Sequence, residues 1–594
     1  MLHETHMRHY FALLFLVAFQ LRAGEPITPA NVGRLKVAWI YDTGDSTAPL
    51  RPGGRAPRFE AKPVYADGKL YLSTPAGSVM ALDAETGKEI WKIDLQVKRE
   101  GNYGDFANRG LALHKNRLYV ATVDARLVCL SRLDGRFCSA FGTNGRLDLT
   151  TGLRSRPKYL GEYGVTSPPA IYKNIVIVGS NVADNSRLRM ASGEVRAFDA
   201  TTGAIRWTFH PLPEDSPAGG ANTWSQIVVD EPSGLVYLPT GSASPDYFGG
   251  LRPGDNRYAN SIVALRADSG KVAWHFQTVH HDLWDFDVAS PPVLYPAQGG
   301  PAVAVGSKTG HLFLFERLTG KPIFPINEKP VPTSDVPGEK AAPTQPFPSL
   351  PPSLVPQSLS EEDLWGATPA DLDACRAAFR TLRNEGVFTP PSIQGSISVP
   401  GNVGGLHWGG AAWDPVNRLL IAPVNNLPAI MRLIPRANFT EAKKAHPNRE
   451  TTEQDGTPYA MSRQFFFSPS GTPCIRPPWG ELVAIQVDSG NISWRVPLGE
   501  IGGAKGAVNL GGPVTSGTGV VFIGATIDGY FRAFDTKDGR ELWKAKLPTS
   551  ARATPLLFKT EKGRSMIAIA AGGHDVPGVK LDTKLVVYAL PDQY

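Results

Sequence analysis

The densest run of residues able to do chemistry is His280-His281-Asp282-Leu283-Trp284-Asp285-Phe286-Asp287. Carboxylates set among aromatic side chains are poorly solvated, which raises their pKa and suits them to accept a proton; the same oxygens can ligate a hard cation. Adjacent histidines lack the spacing by which a helix presents two imidazoles to zinc, and such histidines are commonly half-buried and satisfied. Asp285 is the stronger functional candidate.

The elements that must position this run repeat. Ala, Gly six residues on and Trp four further recur at Ala81/Gly87/Trp91, Ala197/Gly203/Trp207, Ala264/Gly270/Trp274, Ala484/Gly490/Trp494 and Ala533/Gly539/Trp543, with a degenerate copy at Leu314/Gly320/Phe324. Such self-similarity marks a repeated structural unit. The Gly suits a turn with positive φ, and the aromatic suits a wedge between neighbouring units. Strand-forming residues recur near Leu70, Leu118, Ile175, Val236, Val303, Leu419, Val520 and Met566. The second unit keeps Gly135 but has Ser139 where the Trp would stand. The segment Leu585-Val586-Val587-Tyr588-Ala589-Leu590 has no downstream Trp, and Val37-Ala38-Trp39-Ile40-Tyr41 has no upstream partner. The expectation is an all-β, eight-bladed β-propeller closed by its N- and C-terminal strands, which leaves no exposed sheet edge.

A formal net charge of +6 without a Lys or Arg run gives no reason to propose nucleic acid. Mild attraction to an anionic membrane surface, hence peripheral membrane contact, stays open. The apolar segment after Arg8 has the length of a signal-peptide core, with Ala23 and Gly24 where cleavage would fall. Residues 1–23 therefore read as a cleaved leader or an uncleaved anchor, and 24–594 as the propeller of an exported, periplasmic protein.

Two stretches break the rhythm, at about 325–400 and 427–479. The first opens rich in proline and should run extended. It also carries a helix that Thr368 caps and Pro369 starts, with Leu372, Cys375, Phe379 and Leu382 on one face and Gly386 as its stop. Such insertions either roof a site or pack on the propeller rim. Four cysteines fit an oxidising compartment. Cys129 and Cys138 flank a turn and suit a bridge, which leaves Cys375 and Cys474 to pair between the insertions; four buried thiols is the other reading. No Cys-x-x-Cys-His for attached haem occurs.

The run His280 to Asp285, the Gly-to-Trp units, Asp184-Asn185, Trp224, Lys308-Thr309-Gly310, Pro343-Thr344-Gln345-Pro346-Phe347, Trp365-Gly366-Ala367-Thr368 and Ala571-Gly572-Gly573-His574 together resemble the pyrroloquinoline quinone (PQQ) dehydrogenases. Among these the chain is most similar to the catalytic propeller of the membrane-bound quinoprotein glucose dehydrogenases, over essentially everything after the leader. The resemblance implies that Trp224 stacks on the quinone and that Asp184, Asn185, Ser244 and Asp285 hold Ca²⁺ or Mg²⁺. It also implies that Lys308 bonds the reactive quinone oxygens and that Glu60, Arg109, Thr166 and Ser167 surround the cofactor's carboxylates. Asn425 and His574 complete the implied cofactor contacts.

As the resemblance has it, Asp285 takes a hydroxyl proton while hydride passes to the quinone, and electrons leave to a membrane quinone or a separate carrier. Glucose-type relatives imply a sugar or polyol substrate. A PQQ alcohol dehydrogenase acting on small primary alcohols and a non-catalytic envelope scaffold are the competing readings. The chain departs from the family where methanol-type relatives carry a vicinal cysteine pair, reading Tyr103-Gly104, and it lacks the histidine that glucose-type relatives carry near Asp105. The second face of the quinone therefore has no residue assigned.

Overall fold

The computed structural model describes residues 25–49, 54–447, 449–576 and 578–591. The leader expected over 1–23 lies outside them. Among the described residues no helix is long and apolar enough to cross a membrane.

The chain lays down a succession of antiparallel meanders. The first sheet is Val64–Ala66, Lys69–Ser73, Ser78–Asp83 and Glu89–Asp94, and sheets of the same build follow. The fifth, Val293–Ala297, Gly300–Gly306 and Leu312–Glu316, has three strands. The eighth joins Leu556–Lys559, Ser565–Ala571 and Lys584–Ala589 to Lys36–Asp42, so the expected pairing of first and last strands is present, with Lys36 opposite Ala589. Every strand predicted around Leu70, Leu118, Ile175, Val236, Val303, Leu419, Val520 and Met566 forms.

Because side chains alternate across a strand, both faces of these sheets can be buried by neighbours. Tyr71 packs with Leu118 between the first and second sheets, whereas Leu70 packs with Ala568 between the first and the eighth. The same alternation carries Tyr119 to Val176, Ile177 to Val236 and Tyr237 to Val303. It continues from Ala304 to Leu420, Ile421 to Val521 and Phe522 to Ile567.

The periodic residues are the joints. Each repeat Ala faces its own Trp across the strands, as Ala264 faces Trp274, and the small residue leaves room for the indole. The indole then docks on the turn of the next sheet. Trp39 donates to the Ala84 carbonyl at 3.2 Å, Trp207 to Ala267 at 3.0 Å and Trp494 to Thr536 at 2.9 Å. A Cβ on Gly270 would stand 2.7 Å from the Trp207 ring, and φ there is +70°, so only glycine fits. Where Ser139 replaces the Trp, Leu147 fills the place against Gly203.

Both disulfides form, Cys129–Cys138 and Cys375–Cys474, and no described cysteine is free. The second joins the first insertion's helix to the second insertion. That helix runs Pro369–Phe379 with Thr368 accepting from the Asp371 N–H, and it ends earlier than expected. Arg380 closes its last turn, and Thr381 donates its hydroxyl to the Ala378 carbonyl at 2.8 Å. Leu382 nonetheless stays in the same apolar cluster as Cys375. The proline-rich opening is a hairpin, Ile326–Pro330 against Thr344–Pro348. The second insertion builds its own sheet with Ser396–Ser398, in the order Ser396–Ser398, Ala429–Pro435, Tyr459–Phe465, Glu450–Thr452.

Candidate active site

The loop from Thr278 to Asp287 follows the outer strand of the fourth sheet and is pinned residue by residue. His280 takes the Gln345 side chain on its N–H at 2.8 Å. His281 bonds the Gly254 carbonyl at 2.7 Å and the Glu339 carboxylate at 3.2 Å. Both histidines therefore fasten the loop to neighbouring segments. Asp282 accepts from Ser242 at 2.6 Å and from the Phe286 N–H, and Trp284 donates to the Thr389 carbonyl at 2.7 Å. Asp285 is forced to φ +61°, a left-handed conformation that turns its side chain out of the loop.

Its carboxylate enters a cavity of about 360 Å³ that Asp184, Asn185, Trp224, Asp246, Asp287 and Lys308 also line. Lys308 stands between two carboxylates, 2.6 Å from Asp285 and 2.8 Å from Asp287. Trp224 donates its indole N–H to Asp287 at 3.1 Å, and the Lys308 ammonium lies 5.9 Å from the centre of the Trp224 ring. The side chains of Trp224, Asp285 and Lys308 thus converge.

Burial pushes Asp285 up to about 7; Lys308 opposes that rise and Asp287 adds to it. Burial drives Asp184 and Asp246 well above the usual carboxylate range, and the neighbouring carboxylates reinforce it. Burial works against the charge of Lys308, but Asp285 and Asp287 hold its pKa far above the ordinary lysine value.

This cluster of anions with one ammonium at its centre has the composition that a hard cation satisfies, all oxygen ligands. The Oδ1 atoms of Asn185 and Asp246 are buried without a hydrogen-bond partner. Among the described residues no three His, Cys, Asp or Glu side chains stand together at ligating distances. Lys308 neutralises part of this charge by pairing with both Asp285 and Asp287.

Other expected site residues are placed differently. Glu60 and Arg109 meet because Arg58–Lys62 and Ala107–Gly110 pair in parallel, and their side chains are 3.1 Å apart. With Ser167 they line a second cavity, about 380 Å³. Arg109 donates to Thr166 at 2.7 Å, and its guanidinium lies 5.4 Å from the centre of the Trp224 ring and 4.7 Å from that of Trp408. Ser244 does not line the first cavity. Its hydroxyl accepts from the Gly219 N–H at 2.9 Å and donates to the Leu188 carbonyl at 2.7 Å, whereas Asp246, two residues on, lines the cavity.

Asn425 pairs with Asn509 at 2.8 and 2.9 Å and lines neither cavity. His574 bonds Ser550 at 2.7 Å, and burial lowers it to about 3. Tyr103 is turned aside onto Phe106, with ring centres 5.2 Å apart, so the bare backbone of Gly104 faces the first cavity.

Sequence reasoning did not assign Asp246, Asp287, Trp408 or Arg463. Asp287 was not readable from alternation, since Asp285 at φ +61° breaks the extended geometry in which residues two apart share a side. Arg463 was not, because it arrives from the second insertion, where no local pattern marks it. Its guanidinium is 3.1 Å from Asp285, 2.7 Å from the Tyr247 hydroxyl and 2.9 Å from Glu450.

Known proteins share this arrangement of sheets. Residues 22–567 match the family model described as PQQ: glucose/ethanol/alcohol dehydrogenase, beta-propeller domain. The chain belongs to the PQQ-dependent dehydrogenases, a family of propeller enzymes. It is 36% identical to the quinoprotein glucose dehydrogenase of Escherichia coli K12, across 96% of this chain and 77% of that protein. It is 35% identical to the quinate/shikimate dehydrogenase (quinone) of Acinetobacter baylyi, across 92% and 74%. The crystal structure of the quinohemoprotein alcohol dehydrogenase of Comamonas testosteroni superposes with a TM-score of 0.69 at 24% identity, across 96% of this chain and 78% of that one, a likeness of fold.

Proposed function

We propose that the protein is an exported, eight-bladed quinoprotein dehydrogenase that holds PQQ with Ca²⁺ or Mg²⁺ and oxidises a hydroxyl of a sugar or polyol. The convergence of Trp224, Asp285 and Lys308 on one cavity carries this reading. PQQ, when bound, supplies a planar two-electron acceptor. Trp224 offers the aromatic face that a flat ring system needs, and Asp184, Asn185, Asp285 and Asp246 offer the oxygens for the cation. Ser244 acts one step back, by holding the Gly219 and Leu188 backbone that flanks Asp184.

Asp285 accepts the substrate's hydroxyl proton, its carboxylate reaching into the cavity beside Trp224 and Lys308 where the reacting hydroxyl would lie. Lys308 keeps its charge next to the reacting atoms and stabilises negative charge that develops there. Glu60, Arg109, Thr166 and Ser167 form the polar border for the cofactor's carboxylates. Asn425, fixed by Asn509, and His574, fixed by Ser550, complete the proposed set of cofactor contacts. Electrons leave to a quinone or a separate carrier, and the cell compartment that fits is the periplasm.

The test is Asp285→Asn. Dye reduction should fall by about a thousandfold or more with PQQ still bound, as removal of a general base predicts. A variant that reduces dye at the full rate overturns the assignment. Glucose, glycerol, quinate and ethanol compared on the parent enzyme place it among polyol or primary-alcohol enzymes.

A further inference from the structure

The strand Tyr459–Phe465 of the second insertion leads outward from the first cavity, and burial falls along it: Met461 is buried, Arg463 half-buried and Phe465 exposed. Residues two apart on a strand share a face, so these three side chains form one row. The Asn185 amide donates to the Met461 sulfur at 3.6 Å, and Arg463 meets Asp285 at 3.1 Å. The neighbouring strand keeps step. Thr452, opposite Met461, accepts from Asn185 at 3.3 Å, and Glu450, opposite Arg463, bonds it at 2.9 Å. Phe465 comes next in the row, one strand step of about 7 Å beyond Arg463.

There a further cavity of about 420 Å³ begins, lined by Asn402, Glu450, Arg463, Gln464, Phe465 and Phe467. It shares Asn402, Glu450 and Arg463 with the first cavity, so the two are continuous. Phe465 and Phe467 are 37% and 42% exposed, and their ring centres lie 5.4 Å apart.

An apolar pair rimmed by polar side chains at the edge of a cavity is a surface that a ligand covers. The ligand must satisfy both kinds of neighbour. A sugar ring does so, because one face of it is C–H and its edge carries hydroxyls. A wholly apolar ligand would strip water from Glu450 and Arg463 without replacing it. Continuity fixes the occupant: a molecule whose hydroxyl stands at Asp285 passes Arg463 and arrives at Phe465.

We propose that the substrate carries a second sugar ring, seated on Phe465 and Phe467 while the hydroxyl to be oxidised reaches Asp285. This rests on the reading of Asp285 as the base and adds length to the substrate.

The test uses holoenzyme and matched substrates: maltose and cellobiose with glucose, and maltitol with sorbitol. In at least one set the two-ring compound should show a kcat/KM about tenfold or more above its smaller partner, the size expected when a ring is buried against aromatic side chains. Phe465→Ala and Phe467→Ala should each reduce that ratio about threefold or more through KM. The smaller partners should keep their kcat/KM, and bound PQQ, read by absorbance, should not change.

Smaller partners that match or exceed the two-ring compounds in every set overturn the proposal. So do phenylalanine variants that leave the ratio untouched and raise the KM for a quinone acceptor, which would assign the pair to the acceptor. Calorimetric titration of the parent holoenzyme separates the two readings. A two-ring compound bound more tightly than its partner but not oxidised keeps the second-ring site and removes the base; no two-ring compound bound more tightly removes the second-ring site whatever the rates.

Discussion

Asp285 has one neighbour too many for a simple ion pair: Lys308 and Arg463 on one side, Asp287, Asp184 and Asp246 around it. The consequence for the protein without cofactor or cation concerns stability. An unfolded carboxyl loses its proton near pH 4, roughly. Folded Asp285 keeps its proton up to about 7. Between those values the folded state binds more protons than the unfolded, so stability falls as pH rises. Asp184 and Asp246 are raised in the same direction and steepen the fall. The buried histidines His311, His407 and His574, lowered to about 3 or 4, act in the opposite sense, so the carboxyl contribution is read as a difference: between pH 5 and 8 the apoprotein with Asp246→Asn should lose less melting temperature, or gain more, than the parent, by calorimetry at fixed ionic strength.

At this scale the sequence was informative where chemistry is concentrated in one run. Asp285 stood out among aromatics, and the resemblance pointed to Trp224, Asp184 and Lys308. Ser244, which the resemblance set beside the cation, bonds the Gly219 and Leu188 backbone groups, contacts that the sequence does not reveal. Arg463 lies 178 residues from Asp285 in the chain, and only folding brings them together.

The repeat turn is the element on which the sheets depend. Gly270 sits at φ +70° with the Trp207 ring where a side chain would begin. Gly270→Ala should therefore lose roughly 2–4 kcal/mol from backbone strain and overpacking combined. Gly254→Ala is the control, since φ is +80° there but nothing lies within 4 Å. It should lose only the backbone part, roughly 1–2 kcal/mol by the same strain argument. Thermal denaturation of the two variants separates crowding from conformation.

These turns were legible because Ala, Gly and Trp each answer a local steric demand that recurs. The insertion helix was legible at its start, where Thr368 and Pro369 act locally. Its end was not, because the helix closes at Arg380, where no glycine or proline marks a stop.

For the whole molecule the decisive contact is between the strand Lys36–Asp42 and the eighth sheet, carried on to the first sheet by Trp39. The Trp39 ring covers Gly87, its N–H reaches Ala84, and it packs in the cluster shared by Leu70 and Val587. Trp39→Ala should lower stability by about 3–5 kcal/mol, the range for a large buried aromatic. It should also expose the joint to protease. A variant as stable as the parent would show that the N-terminal strand is dispensable. That the two half-units complete one sheet was readable from what each lacked, whereas how the insertions fold over the cavity was not, since their contacts have no period.

The strand at residues 36–42 finds its partner only at residues 584–589. Until both ends are present the earlier strand keeps an open edge, and a chain cut before residue 584 would offer that edge to strands of other molecules.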